Sequence, residues 1–313
     1  LWWLGTLPMI TPLLSGIFAL TTGVQVFWWS GVLVIFGLIP LIDGLMGEDA
    51  SNPPESAVPD LEKQPYYRFI VYSCAVLSVL SLVVTAWMAI SGVDWIIAGG
   101  LLQLSEQLHL QGSLASFAAF LTERAQLHGS IGWFTYLGMA MSTGAATGIA
   151  INIAHELGHK NRGMAKFLAK LALASTFYGH FFVEHNRGHH VRVATPEDPA
   201  SSRLGESFWS FLPRTVWFSL SSAWHLESQR LEKLGLPTLH WKNGVLSAWL
   251  YSVVLWGVLI AWLGAAVIPF LVIQGIYGFS LLEVVNYVEH YGLLRQKQPN
   301  GRYERCSPRH SWN

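Results

Sequence analysis

Residues 131–160, IGWFTYLGMAMSTGAATGIAINIAHELGHK, run from an apolar stretch straight into H-E-x-x-H. Over about 130–152 the stretch matches the ~20 residues that a membrane-spanning helix needs. At ~1.5 Å per residue it uses up the hydrocarbon thickness by about Asn152. His155 and His159 then emerge on one face of the same helix, where two imidazoles can share one metal. Glu156 lies between them, as a candidate base or as a helix-end carboxylate that satisfies a histidine N–H. H-E-x-x-H by itself is the signature of a zinc protease, so the rest of the chain has to decide the chemistry.

Working outward, apolar runs long enough to span a bilayer occur at about 1–22, 24–46, 69–91, 130–152, 245–263 and 265–285. The first and last pairs are hairpins, turning near Thr22-Gly23 and Gly264. The composition agrees: 52% of residues are hydrophobic and 12% charged, against roughly 25% charged in a soluble domain. Gly47–Arg68 reads as a polar, proline-rich connector, and 155–244 is the large polar region. The whole chain, 1–313, reads as one all-α integral membrane domain with six transmembrane helices, cut at both ends.

Charge placement predicts the orientation. Residues 1–46 hold no Lys or Arg; the connector has Lys63 and Arg68, 92–129 has Arg124, 155–244 has eleven, and the tail from Tyr291 has five. Six spans with both termini on one side bring 18 of the 19 basic residues to one face, which the positive-inside rule makes cytosolic. A net charge of zero points to no nucleic-acid partner, and Cys74 and Cys306 suggest neither a disulfide framework nor a cysteine metal site.

The histidines gather on that face. Beyond His155 and His159, the stretch Glu184-His-Asn-Arg-Gly-His-His190 puts His185 and His189 at i, i+4 and adds His190. His290 ends the sixth span at the same depth. Taken singly, His109, His128, His180, His225 and His240 read as interfacial residues rather than ligands. Six clustered imidazoles exceed the three or four protein ligands of one zinc site, and the surplus suggests two metals. Imidazole suits Zn, Fe, Cu and Ni alike. A ferritin-like carboxylate site needs two Glu-x-x-His pairs, whereas only Glu156-x-x-His159 fits. An intramembrane zinc protease would leave His185, His189, His190 and His290 without a role, and its Asp motif would follow H-E-x-x-H, whereas Leu41-Ile-Asp-Gly44 precedes it. A metal transporter would need ionisable residues within several spans, and spans one, two, five and six have almost none before their ends.

The stretches HELGHK (155–160), EHNRGHHVRVATPEDPASSRLGES (184–207), LLEVVNYVEHYGL (281–293) and RHSWN (309–313) resemble the membrane-bound, rubredoxin-dependent alkane hydroxylase family. LWWLGTLPMITPLL at the start and GEDASNPPE (47–55) add to the likeness, and 92–129 is longer than the family's usual link. The resemblance implies a multi-pass protein of the bacterial inner membrane with its active site on the cytosolic side. It implies two non-haem Fe ions held by His155, His159, His185, His189, His190 and His290, with a further histidine box beyond Asn313. The expected reaction is hydroxylation of the terminal carbon of an n-alkane to a 1-alcohol with O2. Electrons would come from rubredoxin and its reductase.

Glu283, Asn286 and His290 recur at helical spacing on one face, so Glu283 and Asn286 are candidates to orient the ligands; Asp198 in ATPEDPASS is another. Arg187, Arg192 and Arg203 are candidates either to dock acidic rubredoxin or to pair with local carboxylates and lipid headgroups. A xylene- or cymene-type methyl hydroxylase and a fatty-acid desaturase or hydroxylase share the histidine boxes and stand as alternatives.

Overall fold

A computed structural model describes residues 5–47, 64–92, 99–109, 112–128, 131–160 and 163–312. Most of the connector, and parts of the 92–129 segment, lie outside the described residues. Within them the protein is helical and forms no sheet; the only extended pairing is an isolated bridge between Lys297 and Tyr303. Among the described residues five helices are long and apolar enough to cross a membrane: α2 (Gln25–Met46), α3 (Pro65–Ser91), α6 (Trp133–Gly158), α10 (Gly244–Leu263) and α11 (Ala265–Glu289). α1 (Leu7–Thr22) is apolar but has 16 residues, about 24 Å at 1.5 Å per residue. Shorter helices are α4 (Gly100–Gln107), α5 (Ser113–His128), α7 (Gly163–Ala174) and α8 (181–192), and a 25-residue polar-apolar helix is α9 (Phe208–Glu232).

Local sequence accounts for the helix ends. α3 starts on Pro65, whose missing N–H costs nothing in a first turn. Gly23, at φ 76°, ends α1 with its N–H bonded to the Ala19 carbonyl, and Gly264, at φ 78°, turns α10 into α11. In α2 a π-helical turn at Val34–Leu38 stands just ahead of Pro40. The wider turn accommodates a residue that cannot donate and would crowd the preceding carbonyls.

The chain divides into two compact units, Leu1–Thr147 with Trp256–Gln274, and Gly148–Leu255 with Gly275–Asn313. In the first, α2 crosses α6 at Gly31, where an added Cβ would sit 2.7 Å from the Ser142 Cα. The same close approach lets the Gly31 N–H bond the Ser142 hydroxyl at 3.0 Å, and that hydroxyl donates to the Trp28 carbonyl at 2.6 Å. Small residues thus set the distance between these helices, as is usual where lipid offers no hydrophobic driving force.

The second unit holds all the residues of interest. Gly148 on α6 meets Gly278 on α11, where a Cβ would lie 2.6 Å from the Gly278 carbonyl oxygen. About two turns further along each helix come His155 on α6, and Glu283 and Asn286 on α11. The close glycine contact therefore brings the polar ends of both helices together.

Candidate metal centre

His155 stands on the last turn of α6 and His159 immediately past its end at Gly158, their Nε2 atoms 3.0 Å apart. Two ligands at a right angle, each ~2.1 Å from one ion, would lie about 3 Å apart. The next imidazoles come from a helical segment over 181–192 whose middle, His185–His189, is a π-helical turn. In an α-helix His185 would align with His189. The wider turn keeps His185 stacked on His189 at 5.1 Å and also brings it to 4.5 Å from His190 and 4.4 Å from His155, between ring centroids. One ring nitrogen from each of His155, His159, His185 and His190 lies within 4.8 Å of the others.

His189 leaves that group. Its Nδ1 bonds Asp198 Oδ2 at 2.9 Å, and its ring faces His290 at 5.1 Å between centroids. His290 is held in the same manner, with Nδ1 donating to the His310 carbonyl at 3.4 Å. An acceptor on Nδ1 leaves Nε2 as the free, lone-pair nitrogen, as in metal-binding histidines generally. The six imidazoles thus fall into a group of four and an oriented pair.

The electrostatics suit a metal. Burial, then the neighbouring imidazoles, pushes the His185 pKa far below its ordinary range, and His190 down to about 4 for the same two reasons. Both rings are therefore neutral at neutral pH, the form that binds metal. The His185 Nε2 is buried with no hydrogen-bond partner, an orphan that an ion would satisfy. At His189 burial acts downward, but the hydrogen bond and charge of Asp198 outweigh it and hold the imidazole above its ordinary value. Asp198 is itself pushed up by burial and pulled further down by His189 and by Ser201, whose hydroxyl donates at 2.6 Å. All-imidazole donors of this kind fit a transition metal such as iron or zinc.

Buried carboxylates frame the cluster. Glu184 accepts from Arg192 at 2.6 Å and lies across the π-helical turn, over Gly188. Any side chain at 188 would overlap its carboxylate. Glu227 on α9 accepts from Arg187 and Arg230, and its Oε2 accepts the Gly244 N–H at 2.6 Å. These three donors pull its pKa down to about 2 against the opposing effect of burial. Glu283, buried on α11, accepts from Tyr178 Oη at 2.8 Å, Thr215 Oγ1 at 3.0 Å and Asn286 Nδ2 at 3.2 Å.

The sequence candidates therefore occupy different places. His155, His159, His185, His189, His190 and His290 share one region, with Asp198 on His189 and Asn286 bonded to Glu283. Glu156 points away, half-exposed and paired with Lys160 at 2.8 Å. Arg187 and Arg192 are held by Glu227 and Glu184, and Arg203 is exposed, its backbone N–H bonded to Glu206. Sequence reasoning passed over Glu184, Gly188, Tyr178, Thr215 and Glu227. Glu184 and Gly188 sit inside the histidine motif and were open to notice. Tyr178 and Thr215 lie 105 and 68 residues from Glu283, with no local signal. His180 is buried without a partner for Nε2, and burial lowers its pKa to about 4.

Comparison with known proteins draws on the same residues. The fatty acid desaturase family model matches residues 131–313, which include every imidazole of the cluster. Alkane 1-monooxygenase 1 of Alcanivorax borkumensis is 41% identical over 314 residues, spanning 100% of this chain and 68% of that protein. Alkane 1-monooxygenase of Ectopseudomonas oleovorans is 40% identical over 313 residues, 100% of this chain and 69% of its own. The xylene/toluene monooxygenase hydroxylase component of Pseudomonas putida is 27% identical over 197 residues, 62% of this chain and 49% of that protein. Since the likeness to the alkane enzymes runs through both compact units as well as the imidazole cluster, this chain belongs to the alkane 1-monooxygenase family.

Proposed function

We propose that this protein is a membrane monooxygenase that hydroxylates the terminal carbon of n-alkanes to 1-alcohols with O2. The observation that carries the reading is the gathering of six imidazoles, three at the ends of α6 and α11 and three from the 181–192 segment, in a chain similar to alkane 1-monooxygenases throughout. The ligands are His155, His159, His185 and His190 as one set and His189 with His290 as the other, for two non-haem irons. When bound, the irons supply O2 activation, with two electrons and two protons consumed and one oxygen atom leaving as water. α1 serves as a sixth span beside the five longer ones, and the basic polar segments face the cytosol of a bacterial inner membrane.

The chain's own residues do the rest. Asp198 keeps the His189 proton on Nδ1, and the His310 carbonyl keeps that of His290 there, so both Nε2 atoms face the site. Glu283 and Asn286, joined to Tyr178 and Thr215, brace the end of α11 that carries His290. An alkane offers no polar handle, so its binding rests on burial at ~0.8 kcal/mol per CH2. A subterminal C–H bond is the weaker one, so selection of the terminal carbon is set by access and not by bond strength. Rubredoxin, with its reductase, is the electron donor, and Arg203 is the candidate docking cation most open to it, Arg187 and Arg192 being engaged by buried carboxylates.

The test is product analysis. Membranes holding the protein, with rubredoxin and its reductase, are given an n-alkane under labelled O2. The 1-alcohol with one labelled oxygen is expected. Mainly 2-alcohols, an alkene, or oxygen from water would overturn the assignment, and faster turnover of xylene methyl groups would move it to the aromatic-methyl branch.

A further inference from the structure

α9 separates two grooves of opposite character. On one flank a groove of about 380 Å³ is lined by Arg192, Glu197, Asp198 and Arg203, with Arg214, Phe218, Ser222 and His225 of the helix itself. On the other a groove of about 270 Å³ is lined by Trp217, Leu220, Trp224 and Trp249. Ser221 borders both. At 100° per residue, Arg214, Phe218, Ser222 and His225 form one flank, and Trp217, Leu220 and Trp224 another about 120° round the helix. Trp209 falls on the tryptophan side and is 81% exposed; Trp217 is 67% exposed.

The helix is also fixed in depth. Ala223 packs with Val183 and with Val245 in the first turn of α10, and Trp224 and Trp249 close over them. Glu227 accepts the N–H of Gly244, the residue on which α10 begins. The start of a spanning helix lies at the membrane surface, so a helix pinned across it lies there too. The tryptophan groove continues onto the lipid-type face of α10, where Leu250, Val253 and Val254 are exposed. Tryptophan, with its apolar body and polar N–H, is the residue type that favours this layer.

We propose that α9 lies in the plane of the membrane interface, with Trp209, Trp217, Leu220 and Trp224 set against lipid and Arg214, Ser222 and His225, with the exposed Phe218 among them, facing water. The proposal rests on α10 being a membrane span. It also places the groove beside Asp198 on the aqueous side, where protons and a soluble electron donor are available.

The experiment is depth measurement by electron paramagnetic resonance in lipid nanodiscs, with exposed Cys306 replaced by Ser and buried Cys74 left in place. Nitroxides go at W209C, W217C, Q229C and, on α10, V254C. The ratio of collisions with oxygen to collisions with an aqueous nickel chelate should favour oxygen at 209, 217 and 254, and the chelate at 229. Trp209 is exposed enough that its replacement leaves the fold intact if W217C does not. Chelate-favoured collisions at 209 and 217 with oxygen-favoured collisions at 254 would overturn the proposal alone. Chelate access at 254 as well would overturn the membrane reading beneath it. Shielding of 209 and 217 from both reagents would show a protein cover, such as a second copy, and would also overturn it.

Discussion

The group of four imidazoles and the oriented pair solve one problem in two ways. In the group, helix geometry sets the positions: His155 and His159 by α-helical spacing, His185 and His190 by a π-helical turn. In the pair, hydrogen bonds from outside the helix set them: Asp198 on His189 and the His310 carbonyl on His290. A site positioned by its own backbone should fail when the backbone is disturbed. A site positioned by acceptors should fail when those acceptors are changed.

The largest effect should follow H185A, which removes a buried ligand from the middle of the group. The affinity of the group of four for its metal, read by chelator competition, should fall by more than the ~10–100-fold typical of outer contacts; metal content by elemental analysis should drop towards that of the pair alone, and activity should go with it. Retention of both metals would break the division into four and two.

G188A should come next. The added methyl collides with the Glu184 carboxylate and so strains the turn that brings His185 to His190. An overpacking penalty of about 1–3 kcal/mol is expected, read as a lower thermal midpoint. The group of four should lose metal while the pair keeps its own; equal loss from both would show that the turn supports the whole centre.

D198N should act in the opposite sense. The amide preserves size but removes the charge behind His189, so metal at the pair should weaken by ~10–100-fold in chelator competition, with the group of four unaffected. E156Q serves as the control: Glu156 is half-exposed and paired with Lys160, and metal content should not change.

The smallest effect is on acid sensitivity. A pKa held above the ordinary ~6.5 lets a proton compete for the ring at higher pH, and a depressed one delays that competition. His189 is raised by Asp198, whereas His190 is lowered to about 4 and His185 is lowered as well. On acidification His189 should therefore lose its metal contact before His185 and His190 do, His190 only on approach to about pH 4. A single coincident release in a pH titration followed by metal absorption bands would remove the distinction.

Much of this architecture is readable in the chain itself, because it depends on short-range physics. Hydropathy over ~20 residues marks a span wherever it occurs, and α2, α3, α6, α10 and α11 appear where apolar runs stand. His155 and His159 share a face because i and i+4 always do on an α-helix. His185 and His189 stack as the same rule expects, at 5.1 Å between ring centroids, but no pattern in Glu184–His190 announces the π-helical turn that also brings His190 to His185. The turn is tied to Glu184, whose carboxylate occupies the space left by Gly188 and is held by Arg192.

Glu283 marks the other limit. Its spacing to Asn286 and His290 follows from one helix, but the hydroxyls of Tyr178 and Thr215 reach it from other elements. Likewise the sequence determines that Arg187 and Arg192 are cations near the histidines, and only the tertiary structure pairs them with Glu227 and Glu184. Periodicity and transfer energy are properties of neighbours along the chain. Which buried carboxyl meets which donor depends on how helices far apart in sequence come to pack, and that is decided only in the folded molecule.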